Sequence, residues 1–176
     1  MAGAGLRDIK RRIKSVNSTK QITKAMELVA SSKVRKGRER MELYRPYFSA
    51  VSQVVGEILG EGEVKSVYVE GAREIKKTLY IVIVGDRGLC GGYNSNVYKM
   101  FASIADNSAT EKQIVPIGVK SVEYFTKRKY DIKEAYPGIA EDITYEGAKE
   151  LADEVLRMYV EGEIDEVYIV YTQYRS

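Results

Sequence analysis

From Leu6 to about Leu59 the sequence offers one continuous helical pattern of 54 residues, and a segment of that length constrains everything around it. Ordinary globular helices run about a dozen residues, whereas this one would extend about 80 Å at ~1.5 Å per residue. Pro46 is its only interior proline and predicts a kink or a split there. Leu6, Ile9, Ile13 and Val16 open a 3-4 apolar spacing, which Val34, Met41, Tyr44, Phe48, Val51, Val55 and Ile58 resume. Such spacing sustained over many turns signals a coiled-coil seam. Between the two stretches the seam positions hold Lys20, Thr23 and Glu27, and the apolar residues stand one position earlier, at Ile22, Met26 and Val29. One residue turns the apolar face by about 100°. The shift reads either as ordinary core irregularity or as a segment that faces a different neighbour.

Charge is unevenly spread along the chain. The whole sequence carries a net +3, yet residues 1–48 hold 13 Lys/Arg against 4 Asp/Glu. Arg7, Lys10, Arg11, Arg12, Lys14, Lys24, Lys33, Arg35, Lys36, Arg38 and Arg40 fall on nearly every face of the helix outside the seam. Cations in the first turns oppose the helix dipole, so isolated helix stability does not account for them. Such asymmetry points to an acidic partner for this part of the chain, against the plainer reading of a solvated basic helix.

After a polar connector, Glu61–Glu74, with a short β-like run at Val67–Val69, the pattern changes. Thr78–Val84 is a continuous β-branched, apolar run and predicts a buried strand. Gly85–Gly92 is a glycine-rich loop. A helix over Asn94–Ala105, a strand over Gln113–Gly118, a helix over Val119–Lys129 and a weaker strand over Ile132–Tyr136 follow. Thr144–Val160 predicts an amphipathic helix with Leu151, Val155, Leu156 and Tyr159 inward, and Glu166–Tyr171 a last strand. The alternation predicts βαβ units. The expected fold is α/β: a long N-terminal coiled-coil helix plus a Rossmann-like, mostly parallel sheet with helices on both faces and Thr78–Val84 at or near its centre. The expected organisation is 1–60 long helix, 61–76 connector and 77–176 α/β domain.

The chain contains no histidine. That removes Ser-His and Cys-His dyads, histidine metal sites and the commonest general base. Cys90 is the single cysteine, which excludes an internal disulfide, fits a reducing compartment and, without a histidine to ionise it, makes a poor nucleophile. No apolar run is long enough to span a bilayer, and the N-terminus lacks an apolar signal core, so neither a membrane span nor a targeting peptide is expected. The loop GDRGLCGG lacks the Lys-Ser/Thr of a phosphate loop and the dinucleotide spacing; Gly88, Gly91 and Gly92 are expected to permit a tight reversal with positive φ.

Two stretches, KQITKAMELVASSKVRK (Lys20–Lys36) and GDRGLCGGYNSN (Gly85–Asn96), resemble signature stretches of the gamma subunits of F-type ATP synthases, and the opening LRDIKRRIKSVNSTKQITKAM is similar to that family's N-terminus. The resemblance runs over essentially the whole chain. It implies a rotor shaft that is not itself an enzyme and needs no cofactor or metal. Its N-terminal helix would wind around a C-terminal helix inside the hexamer of alpha and beta subunits. Its α/β domain would sit against the epsilon subunit and the c-subunit ring, as a peripheral component on the cytoplasmic face of a bacterial membrane. It also implies that Ile22, Met26, Val29, Lys33, Arg35 and Lys36, and Arg87, Leu89 and Cys90 in the glycine-rich turn, approach beta subunits. Family members continue to a C-terminal helix that this sequence does not include, so the resemblance implies a fragment. The orphaned seam is then expected to be hidden by self-association, by folding back at Pro46 or by fraying.

Two other classes compete on the residues alone. A nucleic-acid-binding α/β protein with a basic arm would explain the charge, but the basic residues form no single stripe and no aromatics interleave with them in the first 40 residues. An enzyme built on Asp86 would need further acidic or phosphate-binding residues at the strand ends, which the sequence does not provide.

Overall fold

A computed structural model describes residues 2–174 except 61, 63, 70–73 and 141–142, with side chains from residue 5 onward. Parts of the expected connector therefore lie outside the described residues. The chain divides into two compact units, Met1–Lys65 and Ser66–Ser176.

The first unit is α1, a 59-residue helix spanning Ala2–Gly60. It continues through Pro46 without a break, so the expected split does not occur. The proline ring leaves the carbonyl one turn back without its helical donor, and the turns on either side hold. Same-face pairs line the surface: Arg11–Asp8 and Lys24–Glu27 at 3.0 Å, Arg38–Glu42 at 2.7 Å and Gln53–Glu57 at 2.9 Å. Each stabilises a helix by about 0.2–0.5 kcal/mol. Thr19 and Thr23 donate their hydroxyls back to the carbonyls of Ser15 and Lys20.

The second unit runs β1 (Lys77–Ile83), α2 (Tyr93–Ala105), β2 (Glu111–Ile117), α3 (Val119–Lys127), β3 (Asp131–Ile132), α4 (Tyr145–Val160) and β4 (Glu166–Val170). The sheet is entirely parallel, in the order β3-β2-β1-β4, with Tyr80 opposite both Ile114 and Tyr168. The chain moves outward from β1 to β3, then crosses back to place β4 on the other side of β1. Right-handed crossovers in opposite directions put their helices on opposite faces. Strand period two then sorts the core. Tyr80, Val82 and Val84 pack with Val97, Phe101, Ile114 and Phe125, on the face of α2 and α3. Leu79, Ile81, Val115 and Ile117 pack with Met158 and Ile164, on the face of α4. The α/β fold with a long N-terminal helix and a parallel sheet covered on both faces is as the sequence predicts.

Several local expectations change. Val67–Val69 is a turn rather than a strand: the Val69 N–H donates to Ser66 O at 2.9 Å, and Tyr68 stacks on Tyr159 of α4 at 5.9 Å between ring centroids. The weak strand breaks after Ile132, and Tyr136 returns as an isolated bridge to Ile117. On α4, Leu156 is exposed and Met158 is buried in its place. Leu151, Val155 and Met158 follow the i, i+4, i+7 stripe that faces the sheet, and Leu156 lies about 100° past Val155. Thr144 caps this helix, its hydroxyl accepting the Gly147 N–H at 3.1 Å.

Candidate partner-contact sites

The first candidate lies on α1. Its seam residues Leu6, Ile9, Ile13, Val16, Val34, Tyr44 and Phe48 are all exposed, and Met41 is the one half-buried position among the described residues of the helix. Ile22, Met26 and Val29 are exposed too. Regular helix geometry gives two uncovered apolar stripes about 100° apart. Lys33, Arg35 and Lys36 stand on three faces beside the second stripe, all exposed, with Arg35 4.0 Å from Glu39. Exposed pairs of this kind contribute about 0–1 kcal/mol, so the stripe's charge acts as a field rather than as fixed bonds.

The second candidate is the turn after β1. Gly85 sits half-buried at the strand end, and Arg87, Leu89 and Cys90 are exposed. Asp86 points back into the unit: Oδ1 accepts the Val119 N–H at 2.8 Å, at the start of α3, and the Gly138 N–H at 2.9 Å. Asn94, in the first turn of α2, closes the other side. Its Oδ1 accepts the Gly85 N–H at 3.1 Å and its Nδ2 donates to Arg87 O at 3.2 Å. The Tyr93 N–H donates to Cys90 O at 3.2 Å, and the Cys90 thiol lies 3.9 Å from Arg87 O.

The reversal is not made as the glycines suggest. Only Gly91, at φ +59°, takes a positive φ among Gly88, Gly91 and Gly92, and Leu89 takes the other, at φ +60°. Gly92 is small for another reason: a Cβ there would stand 3.3 Å from the Asn96 side chain. Leu89 is 94% exposed. Sequence reasoning missed Asn94, although an Asn just past a tight glycine turn is a residue able to satisfy both a backbone donor and an acceptor. It also missed Gly118, at φ +94°, where a Cβ would meet Val84 O at 2.2 Å.

The chemistry open to this turn is limited. Asp86 sets a carboxylate against the N-terminal N–H of α3, where an anion would otherwise be held. A shallow cleft of about 260 Å³ nearby is lined by Asn94, Tyr98, Lys120, Glu123, Tyr124 and Lys127. The Tyr124 ring stacks on Tyr98 at 3.8 Å and carries the Arg128 guanidinium 3.7 Å from its centre. Burial first, then the neighbouring Tyr124, pushes the Tyr98 hydroxyl up to about 12; it donates to Lys120 O at 2.6 Å. Lys120 is paired with Glu123 at 2.7 Å. Among the described residues no cluster of acidic or thiol groups could hold a metal, and no helix is long and apolar enough to cross a membrane. Both candidates are exposed surfaces rather than enclosed cavities.

A family model described as ATP synthase matches residues 5–176. The ATP synthase gamma chain of Ruminococcus albus is 47% identical over 177 residues, covering 98% of this chain and 61% of the relative. That of Alkaliphilus metalliredigens is 45% identical, covering 99% of this chain and 60% of its own length. A gamma chain from Acetobacterium woodii, named as sodium ion specific, is 46% identical over 97% of this chain and 56% of the relative. The chain thus spans about three fifths of the length of the relatives it matches. A rotor chain from the Euglena gracilis mitochondrial ATP synthase covers 83% of this chain and 59% of its own at TM-score 0.45 and 18% identity, a likeness too loose to argue from. A family model matched over residues 5–176, with relatives 45–47% identical over nearly every residue, shows the lineage: the chain belongs to the ATP synthase gamma chain family.

Proposed function

We propose that this chain serves as the central rotor shaft of an F-type, proton-translocating ATP synthase, coupling rotation of a membrane ring to conformational change at catalytic beta subunits without performing chemistry itself. The observation that carries the proposal is α1. It is a helix of 59 residues whose two apolar stripes are uncovered and whose remaining faces are basic. An apolar seam of that extent is a binding surface by default. Positive charge on all sides suits a shaft enclosed by acidic loops better than it suits a flat docking face. In this reading the seam Leu6–Phe48 takes a second helix. Ile22, Met26, Val29, Lys33, Arg35 and Lys36, together with Arg87, Leu89 and Cys90, meet beta subunits. The α/β unit contacts the epsilon subunit and the c-subunit ring. The assembled protein sits peripherally on the cytoplasmic face of a bacterial membrane. None of the relatives described above carries a nucleic-acid-binding name, and the basic-arm alternative gains no support from them.

A chimera tests the proposal. Residues 1–176 are joined to the remaining two fifths of the Ruminococcus albus gamma chain and assembled with that organism's alpha and beta subunits. ATP-driven rotation of a bead on the chimera is the expected result. Failure to assemble or rotate, where the unaltered R. albus chain does both, overturns it.

A further inference from the structure

A leucine that is 94% exposed adds nothing to the core, and φ +60° is an unfavourable conformation for a leucine. A strained, uncovered residue of this kind persists only where its surroundings over-determine the backbone. Here they do so from both sides. Asp86 ties the front of the turn to Val119 and to Gly138, 33 and 52 residues away. Asn94 bridges the Gly85 N–H and the Arg87 carbonyl across its base. The Tyr93 N–H, bonded to Cys90 O, closes the exit into α2.

We infer that Asp86 and Asn94 are positioning residues, which lock the Arg87–Cys90 turn so that Leu89 stands out as a rigid apolar tooth for the contact with a catalytic subunit. The inference rests on the reading that this turn meets a beta subunit. A shaft that engages and releases three such subunits in turn gains from a tooth that needs no ordering at each engagement, because every immobilised loop residue subtracts from affinity. The matching surface on the partner is an apolar socket large enough for one leucine.

Four variants test this, with thermal melting of the free chain and the rate of dissociation of the corresponding chimera from the alpha–beta hexamer as readouts. Leu89→Gly relieves the backbone and is expected to raise the melting midpoint by about 3 °C. The same variant should weaken hexamer binding by roughly 10- to 100-fold, the worth of one buried leucine. Asn94→Ala leaves Leu89 in place yet should weaken binding several-fold and speed hydrogen exchange within residues 85–92. Asp86→Ala should do the same, and Asp86→Asn, which keeps an acceptor oxygen, should restore binding. Opposite signs for stability and binding in Leu89→Gly are what a merely structural turn would not give. Binding within twofold of the unaltered chain in Leu89→Gly or Asn94→Ala overturns the inference alone. An unaltered chimera that does not bind the hexamer overturns the rotor reading and the inference together.

Discussion

Gly118 offers the sharpest test of how the α/β unit is held. It follows β2 at φ +94° and ψ 144°, a region closed to side chains. A Cβ there would lie 2.2 Å from Val84 O and 3.0 Å from Val84 C. Both are backbone atoms at the end of the central strand, so no rotamer change relieves the clash. The strand end would have to retreat by about 1 Å. The bonds across that junction are Val84 N–H to Ile117 O at 3.1 Å, Gly118 N–H to Tyr136 O at 2.9 Å, Lys120 N–H to Gly85 O at 3.3 Å, and the buried Ser121 hydroxyl to Val82 O at 2.9 Å. Losing two of them costs about 2 kcal/mol, and the backbone conformation adds about 1–3 kcal/mol. Gly118→Ala should therefore destabilise by roughly 3–5 kcal/mol, a large share of the ~5–15 kcal/mol that holds a typical domain. Gly138→Ala is the control. Its φ is +80°, but no atom lies within 4 Å of a Cβ there, so only the conformational cost of about 1–2 kcal/mol applies. Urea unfolding followed by near-ultraviolet circular dichroism reads the tyrosines packed in this unit. A Gly118→Ala effect within about 1 kcal/mol of the Gly138→Ala effect would refute the clash argument.

Two further outcomes are expected. On the proposed rotor reading, reversing Lys33, Arg35 and Lys36 together to Glu in a version assembled with its hexamer should impair rotation-coupled ATP turnover while assembly persists, because it would turn attraction into repulsion at the proposed sliding contact; unchanged ATPase and torque would leave α1 working by shape alone. Burial raises the hydroxyls of Tyr98 and Tyr136 to about 12, so the folded chain holds these protons more tightly than the unfolded one; stability should be full below about pH 10 and decline between about pH 10 and 12, and an ultraviolet titration showing every tyrosine ionising near 10 would contradict the burial.

The sequence by itself determined whatever depends on local period. The 3-4 spacing of α1 reads directly as a helix, because a residue's face follows from its position along a 3.6-residue turn. The apolar run from Thr78 to Val84 reads as the central strand, because only a strand covered on both faces tolerates it. The alternation of strands and helices fixes the parallel sheet. Even the two candidate stretches are visible, as a break in the seam and a glycine-rich turn. The tertiary structure alone decided the features that depend on partners far along the chain. Leu89, not Gly88, takes the left-handed conformation because Asp86 and Asn94 hold the turn, and Asp86 does so through an N–H 52 residues away. Gly118 must be glycine because β1 ends against it. Val67–Val69 turns because Tyr68 finds Tyr159, whereas its own β-propensity favoured a strand. On α4 the buried stripe settles on Met158, because Ile164 and the β1 side chains stand opposite it. Periodicity states which residues share a face, and only packing states what that face meets.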